Sequence, residues 1–128
     1  MSEAPQVRKL GAYFAQLVGE TGCLEVPVAD DFWERGIAEL PPGRLVSLLS
    51  TGPRWTTWER HPHGEEFILQ LTGTLELQLD DGSKIRRLTI GAGEFVVMPA
   101  GWWHTADESA QGQALFITPG EGTEIRER

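Results

Sequence analysis

The stretch GEFVVMPAGWWHTADE, residues 93–108, decides how this chain is read. A short β-prone run, Phe95 to Met98, is stopped by Pro99-Ala100-Gly101, and a second run begins at Trp103. Proline removes an amide donor and glycine tolerates turn dihedrals, so the chain must reverse here. The next strand then starts beside the turn, and alternation along it puts His104 on the same face as Trp102 and Ala106.

Working outward, the text from Arg44 onward is a series of short extended runs: RLVSLLS, RWTTWER, EFILQLT, TLELQLD, KIRRLTI, EFVVMPA, WHTADES and QALFITP. Gly-Pro, Pro-His-Gly, Thr-Gly, Asp-Asp-Gly, Gly-Ala-Gly, Ala-Gly and Gln-Gly separate them, all turn-forming combinations. In TLELQLD, Leu75, Leu77 and Leu79 alternate with Glu76, Gln78 and Asp80, the period of a half-buried strand. Asp81-Gly82 closes a hairpin after it. Short strands at this spacing predict an all-β antiparallel sandwich or small barrel over residues 44–128.

Residues 1–43 read differently, as an N-terminal extension packed on the barrel. VRKLGAYFAQLVGE spaces Leu10, Phe14, Leu17 and Val18 at helical intervals, predicting a short amphipathic helix. A second short helix is expected from Asp30 or Asp31, ending before Pro41-Pro42-Gly43. Phe32 and Trp33 read as core or interface plugs.

Composition narrows the partners. With 11 basic and 19 acidic residues among 128, the net charge of −8 repels phosphate backbones, which excludes nucleic acid as an expected partner. No apolar run approaches the roughly 20 residues that span a bilayer, and the N-terminus lacks a signal-peptide pattern, so a soluble cytoplasmic protein is expected. The one cysteine, Cys23, reads as a small core residue.

Residues 93–108 match the pattern G-x5-P-x-G-x2-H-x3-N at every position except the last, where Glu108 replaces asparagine. The chain therefore resembles the cupins, whose second motif this is. WERHPHGEEFILQLTG, residues 58–73, resembles the first motif, because Glu66, six residues and Gly73 reproduce its right-hand half. Together with the tail ALFITPGEGTEIRER, it is similar to small single-domain bacterial cupins of the RmlC-like superfamily (type-2 conserved barrel) that open on W-E-x-H-P-x-G-[D/E]-E. The resemblance implies a jelly-roll barrel and a homodimer paired through edge strands.

Which residues complete the first motif depends on register. Pairing His61 with His63 leaves two residues before Glu66 and eight after Gly52; pairing Glu59 with His61 leaves four and six, nearer the family spacing. Pro62 and Gly64 also end the strand near His61, which puts His63 in a turn. The second register is favoured, with His63 the alternative to Glu59.

In that register the resemblance implies that Glu59, His61, Glu66 and His104 converge as ligands. Two imidazoles and two carboxylates suit Fe(II), Mn(II), Ni(II) or Zn(II), with positions left open. Against this stands a metal-free polar cluster in which histidines bond a buried carboxylate. Parity adds Ile68, Gln70 and Trp102 as pocket-wall candidates for a small-molecule ligand. The expected function is a metal-dependent cupin acting on an oxygen-bearing small molecule, a dioxygenase-like oxidoreductase or an isomerase. The alternative is a non-enzymatic ligand- or metal-sensing module.

Overall fold

The computed structural model describes residues 4–128. Its strands, in chain order, are β1 (Tyr13–Val18), β2 (Gly22–Pro27), β3 (Arg44–Thr51), β4 (Thr57–Arg60), β5 (Glu66–Thr72), β6 (Thr74–Asp80), β7 (Ile85–Gly91), β8 (Phe95–Met98), β9 (Trp103–Asp107), β10 (Gly112–Thr118) and β11 (Glu124–Glu127). They form two antiparallel sheets ordered β2-β1-β3-β10-β5-β8 and β11-β4-β9-β6-β7.

The alternation along β6 is realised as read. Leu75, Leu77 and Leu79 point inward and pack with Ile68, Ile90, Met98, Ala106, Ala114 and Phe116 between the sheets. All eight runs anticipated after Arg44 become strands, though β4 begins only at Thr57 and β8 covers only Phe95–Met98. Strand β11 was not anticipated. It pairs antiparallel with β4, from Glu124 opposite Arg60 to Glu127 opposite Thr57. Arg126 stacks over Trp103 and Trp58, with its guanidinium carbon 4.4 and 5.2 Å from the ring centroids. Such contacts stabilise by about 0.5–1 kcal/mol each at exposed sites.

The expected N-terminal helices are corrected. Residues 13–27 form a hairpin, β1 against β2, that joins β3 through β1. Gly11 and Gly19 adopt positive φ of 113° and 56°, which breaks a helix on either side of Tyr13–Val18. Between those breaks the run alternates, burying Phe14 and Gln16, and sheet pairing overrides the helical spacing of its apolar residues. The second expected helix is a succession of turns followed by a single 3-10 turn, Gly36–Glu39. Phe32 nevertheless plugs a small second core, edge-on to Phe14 at 5.2 Å, while Trp33 remains exposed. Cys23 is exposed rather than buried, because β2 is an edge strand with little packed over it.

One glycine carries the chain from one sheet to the other. Gly73 alone links β5 to β6, with φ 67°, and a Cβ there would lie 2.3 Å from the Gln111 carbonyl oxygen. That explains the glycine closing the first motif. Gly73→Ala is expected to destabilise the fold by about 2–5 kcal/mol, combining left-handed strain with overpacking. Gly82→Ala, also at positive φ but with nothing within 4 Å, loses only the strain component. Urea denaturation of the two variants checks this, and equal midpoints would contradict it.

Candidate metal centre

Glu59 lies on β4 directly opposite His104 on β9, so the two side chains share the inner face of one sheet. The chain leaves β4 at Arg60, turns through Pro62-His63-Gly64, and enters the other sheet at Glu66. The amide of Gly101 donates to the His61 carbonyl at 3.0 Å. The Pro99-Ala100-Gly101 turn is thereby stitched to the first motif, and four polar side chains meet at one end of the barrel.

Ligand atoms of Glu59, His61 and His104 lie within 4.8 Å of one another. Glu66 stands between the imidazoles: its Oε2 is 3.3 Å from His61 Nε2 and its Oε1 is 3.2 Å from His104 Nε2. His61, Glu66 and His104 are buried, with 5%, 3% and 0% of their surfaces exposed, and Glu59 is half-buried.

Proton accounting identifies what these atoms present to one another. Thr123 donates its only hydroxyl proton to the Gly120 carbonyl at 2.8 Å, so at its 2.8 Å contact with His61 Nδ1 it must accept. His61 Nδ1 therefore carries hydrogen. The Trp102 carbonyl, 3.4 Å from His104 Nδ1, can only accept and assigns a hydrogen there too. In both neutral rings the Nε2 lone pair then faces Glu66. With both rings neutral, neither Nε2, nor Glu66 Oε1, has a hydrogen-bond partner among the described residues. Left unsatisfied in that neutral state, each such buried atom costs about 1–3 kcal/mol, against a whole stability on the order of 5–15 kcal/mol. A divalent cation held among these lone pairs would remove that penalty. The donor set, two imidazoles and two carboxylates, fits such an ion.

Without a cation, charge shifts respond. Burial alone would raise the Glu66 pKa, but the imidazoles of His104 and His61 outweigh it and hold the carboxyl at about 2. Burial alone would lower the His104 pKa, but Glu66 and then Glu59 prevail and raise it. Burial raises the Glu59 pKa, aided by Glu66 and opposed by His104 and His61.

Of the other sequence-derived candidates, His63 is exposed in its turn and packs on Gly122, away from the cluster. Ile68 is fully buried in the core, and Trp102 packs against it from the edge. Gln70 lies beyond Ile68 along β5, where its amide donates to Thr51 Oγ1 at 2.8 Å and the Thr72 carbonyl at 2.7 Å. It secures the barrel's far end. Sequence reasoning missed Thr118, which donates to Glu66 Oε2 at 2.6 Å, and Thr123. It also missed Trp55, whose ring lies 6.3 Å from both His104 and Phe116. The turn-rich tail Thr118-Pro119-Gly120-Glu121-Gly122-Thr123 was the available signal, but without β11 nothing tied it to the site.

A cupin domain family model matches residues 37–118, and the chain belongs to that family. Among solved structures, it is similar to a cupin-2 domain containing protein from Shewanella frigidimarina, at 25% identity and TM-score 0.51, over 65% of this chain and 76% of that one. It is also similar in fold to a hydroquinone 1,2-dioxygenase solved with cadmium(II) and 4-hydroxybenzonitrile, at 19% identity and TM-score 0.52, over 65% of this chain and 61% of that one. A third likeness is to the hydroxypropylphosphonic acid epoxidase of S. wedmorenis, at 10% identity and TM-score 0.51, over 59% of this chain and 43% of that one. The chain thus spans less than two thirds of the length of either enzyme. No curated protein sequence matches it. Among the described residues, no helix is long and apolar enough to cross a membrane.

The charge shifts set a pH signature for the metal-free protein. Glu66, held at about 2 against an ordinary 4.5, contributes stability above pH 4.5 that is lost as pH falls toward 2. His104, raised above 6.5, contributes stability below pH 6.5 that is lost as pH rises through its folded value. Glu59, raised above 4.5, opposes folding increasingly as pH climbs past 4.5. In the presence of a chelator, the wild-type advantage over Glu66→Gln in urea midpoint is expected to peak between 4.5 and 6.5. An advantage that keeps growing to about pH 8 would contradict this pairing.

Proposed function

We propose that this cupin is a metal-dependent oxidoreductase of the dioxygenase kind, acting on a small oxygen-bearing molecule. The observation that carries the reading is the convergence of two imidazoles and a carboxylate, all buried and, with the rings neutral, without hydrogen-bond partners for Nε2 or Oε1 among the described residues. His61 and His104 would hold a divalent transition metal through Nε2, Glu66 through its carboxylate, and Glu59 as the fourth donor. Bound there, a first-row ion such as Fe(II), Mn(II), Ni(II) or Zn(II) supplies Lewis acidity and open coordination positions, and Fe(II) or Mn(II) also supplies redox chemistry.

The chain's own residues support that use. Glu59 is the least enclosed of the four, and a set reduced to two histidines and one carboxylate suits non-haem Fe(II) oxygen chemistry. Trp55, tilted against His104 and Phe116, forms an apolar wall beside the ligands. Such a wall excludes water and favours a substrate with an apolar body and few oxygen atoms.

Metal analysis of untagged protein tests the reading, with oxygen uptake measured on a panel of catechols, thiols, diketones and hydroxy acids. Near-stoichiometric metal is expected in wild type and in His63→Ala, with at least tenfold weaker binding in His61→Ala and His104→Ala. Absence of bound transition metal under every loading condition would remove the proposal. Metal binding with no oxygen uptake, alongside a small molecule retained in the barrel, would instead favour a sensing module.

A further inference from the structure

The matched cupin region ends at Thr118, yet two of the hydroxyls that touch the cluster lie at or beyond that point. We infer that the segment Thr118–Thr123 is a clasp in which Thr118 and Thr123 act as positioning residues, setting the orientation of Glu66 and the tautomer of His61 for metal binding. This inference rests on the metal-binding reading above and concerns residues that reach the ion only through its ligands.

Thr123 is held before it meets His61. Its amide and hydroxyl both donate to the Gly120 carbonyl, at 3.1 and 2.8 Å, so the oxygen's lone pairs face outward from a closed loop. A hydroxyl whose proton is committed elsewhere can only accept from His61 Nδ1, at 2.8 Å. That choice fixes the ring's tautomer and leaves Nε2 unprotonated on the side of Glu66. A hydroxyl free to rotate would accept from or donate to either tautomer. Thr118, at the other end of the segment, donates at 2.6 Å to Glu66 Oε2 and leaves Oε1 uncommitted.

Packing holds the clasp in place from both flanks. A Cβ on Gly122 would stand 2.8 Å from His63 Cδ2, and a Cβ on Gly64 would stand 3.0 Å from two Pro119 carbons. The Pro62-His63-Gly64 turn and the tail loop therefore fit face to face only because both positions are glycine. Beyond the loop, Arg60 pairs with Glu124 at 2.8 Å, and β11 zips onto β4, the strand that carries Glu59. The second histidine of the His-Pro-His triplet thus has a packing role at this joint.

Outer-layer partners of metal-bound histidines typically change affinity by about 10–100-fold when removed. Cobalt(II) affinity, measured by competition with a chromophoric chelator, is expected to fall by about that factor in Thr123→Val and to return to within about threefold of wild type in Thr123→Ser. Thermal melts of the metal-free variants report folding independently. In the zinc-loaded protein, nitrogen-15 spectra should show His61 protonated at Nδ1 in wild type and in Thr123→Ser. Should Thr123→Val fail to fold, Thr118→Val provides the parallel test, with the same loss expected through Glu66. A folded Thr123→Val or Thr118→Val that binds cobalt(II) as tightly as wild type would overturn the clasp while leaving the metal centre standing. A wild-type protein that binds no cobalt(II) would overturn both.

Discussion

One carboxylate, Glu66, is wedged between two imidazole nitrogens at 3.3 and 3.2 Å, with its other contact a threonine hydroxyl. Everything else at this end of the barrel either delivers those groups or keeps water from relieving them. A buried carboxylate facing lone pairs is unstable by itself. It is tolerated when a proton or a cation sits between, and the protein has arranged its hydrogen bonds so that the outer ring nitrogens already hold theirs. The barrel thus gathers buried polar groups at one end of a filled apolar core.

The two sheets deliver the groups from different directions. Glu59 and His104 come from neighbouring strands of one sheet, and Glu66 from the first residue of a strand in the other. His61 comes from the connection between them, fixed through its carbonyl by Gly101 and through its ring by Thr123. Each motif therefore restrains the other's histidine region. The apolar layer of Ile68, Leu77, Leu79, Ala106 and Phe116 lies beyond, so the polar cluster occupies one end while the middle is packed for stability.

Much of this was legible in the sequence, for definite physical reasons. Period-two alternation in β6 and the turn residues between runs dictated strands, and the spacing from Glu66 back to Glu59 favoured the pair that the fold brings beside His104. Pro62 and Gly64 made His63 a turn residue, as observed. What could not be read was pairing between distant segments. Tyr13–Val18 carries apolar residues compatible with either a helix or a strand, and its pairing with β2 on one side and β3 on the other decides for the strand. The tail Glu124–Glu127 is too polar to announce itself as a strand, its four residues all exposed; it forms because β4 offers an open edge. Thr118 and Thr123 were invisible for the same reason, since a hydroxyl gains its role from the neighbour it meets 52 or 62 residues away.

The central claim is that two histidines and two carboxylates, with no third imidazole, surround one ion. X-ray absorption spectroscopy of the zinc-loaded protein tests it most directly, because imidazole rings scatter distinctively and can be counted. The account predicts two imidazoles with oxygen donors completing the shell. Three imidazoles, with one lost in His63→Ala, would contradict it, as would a spectrum from zinc bound without any histidine.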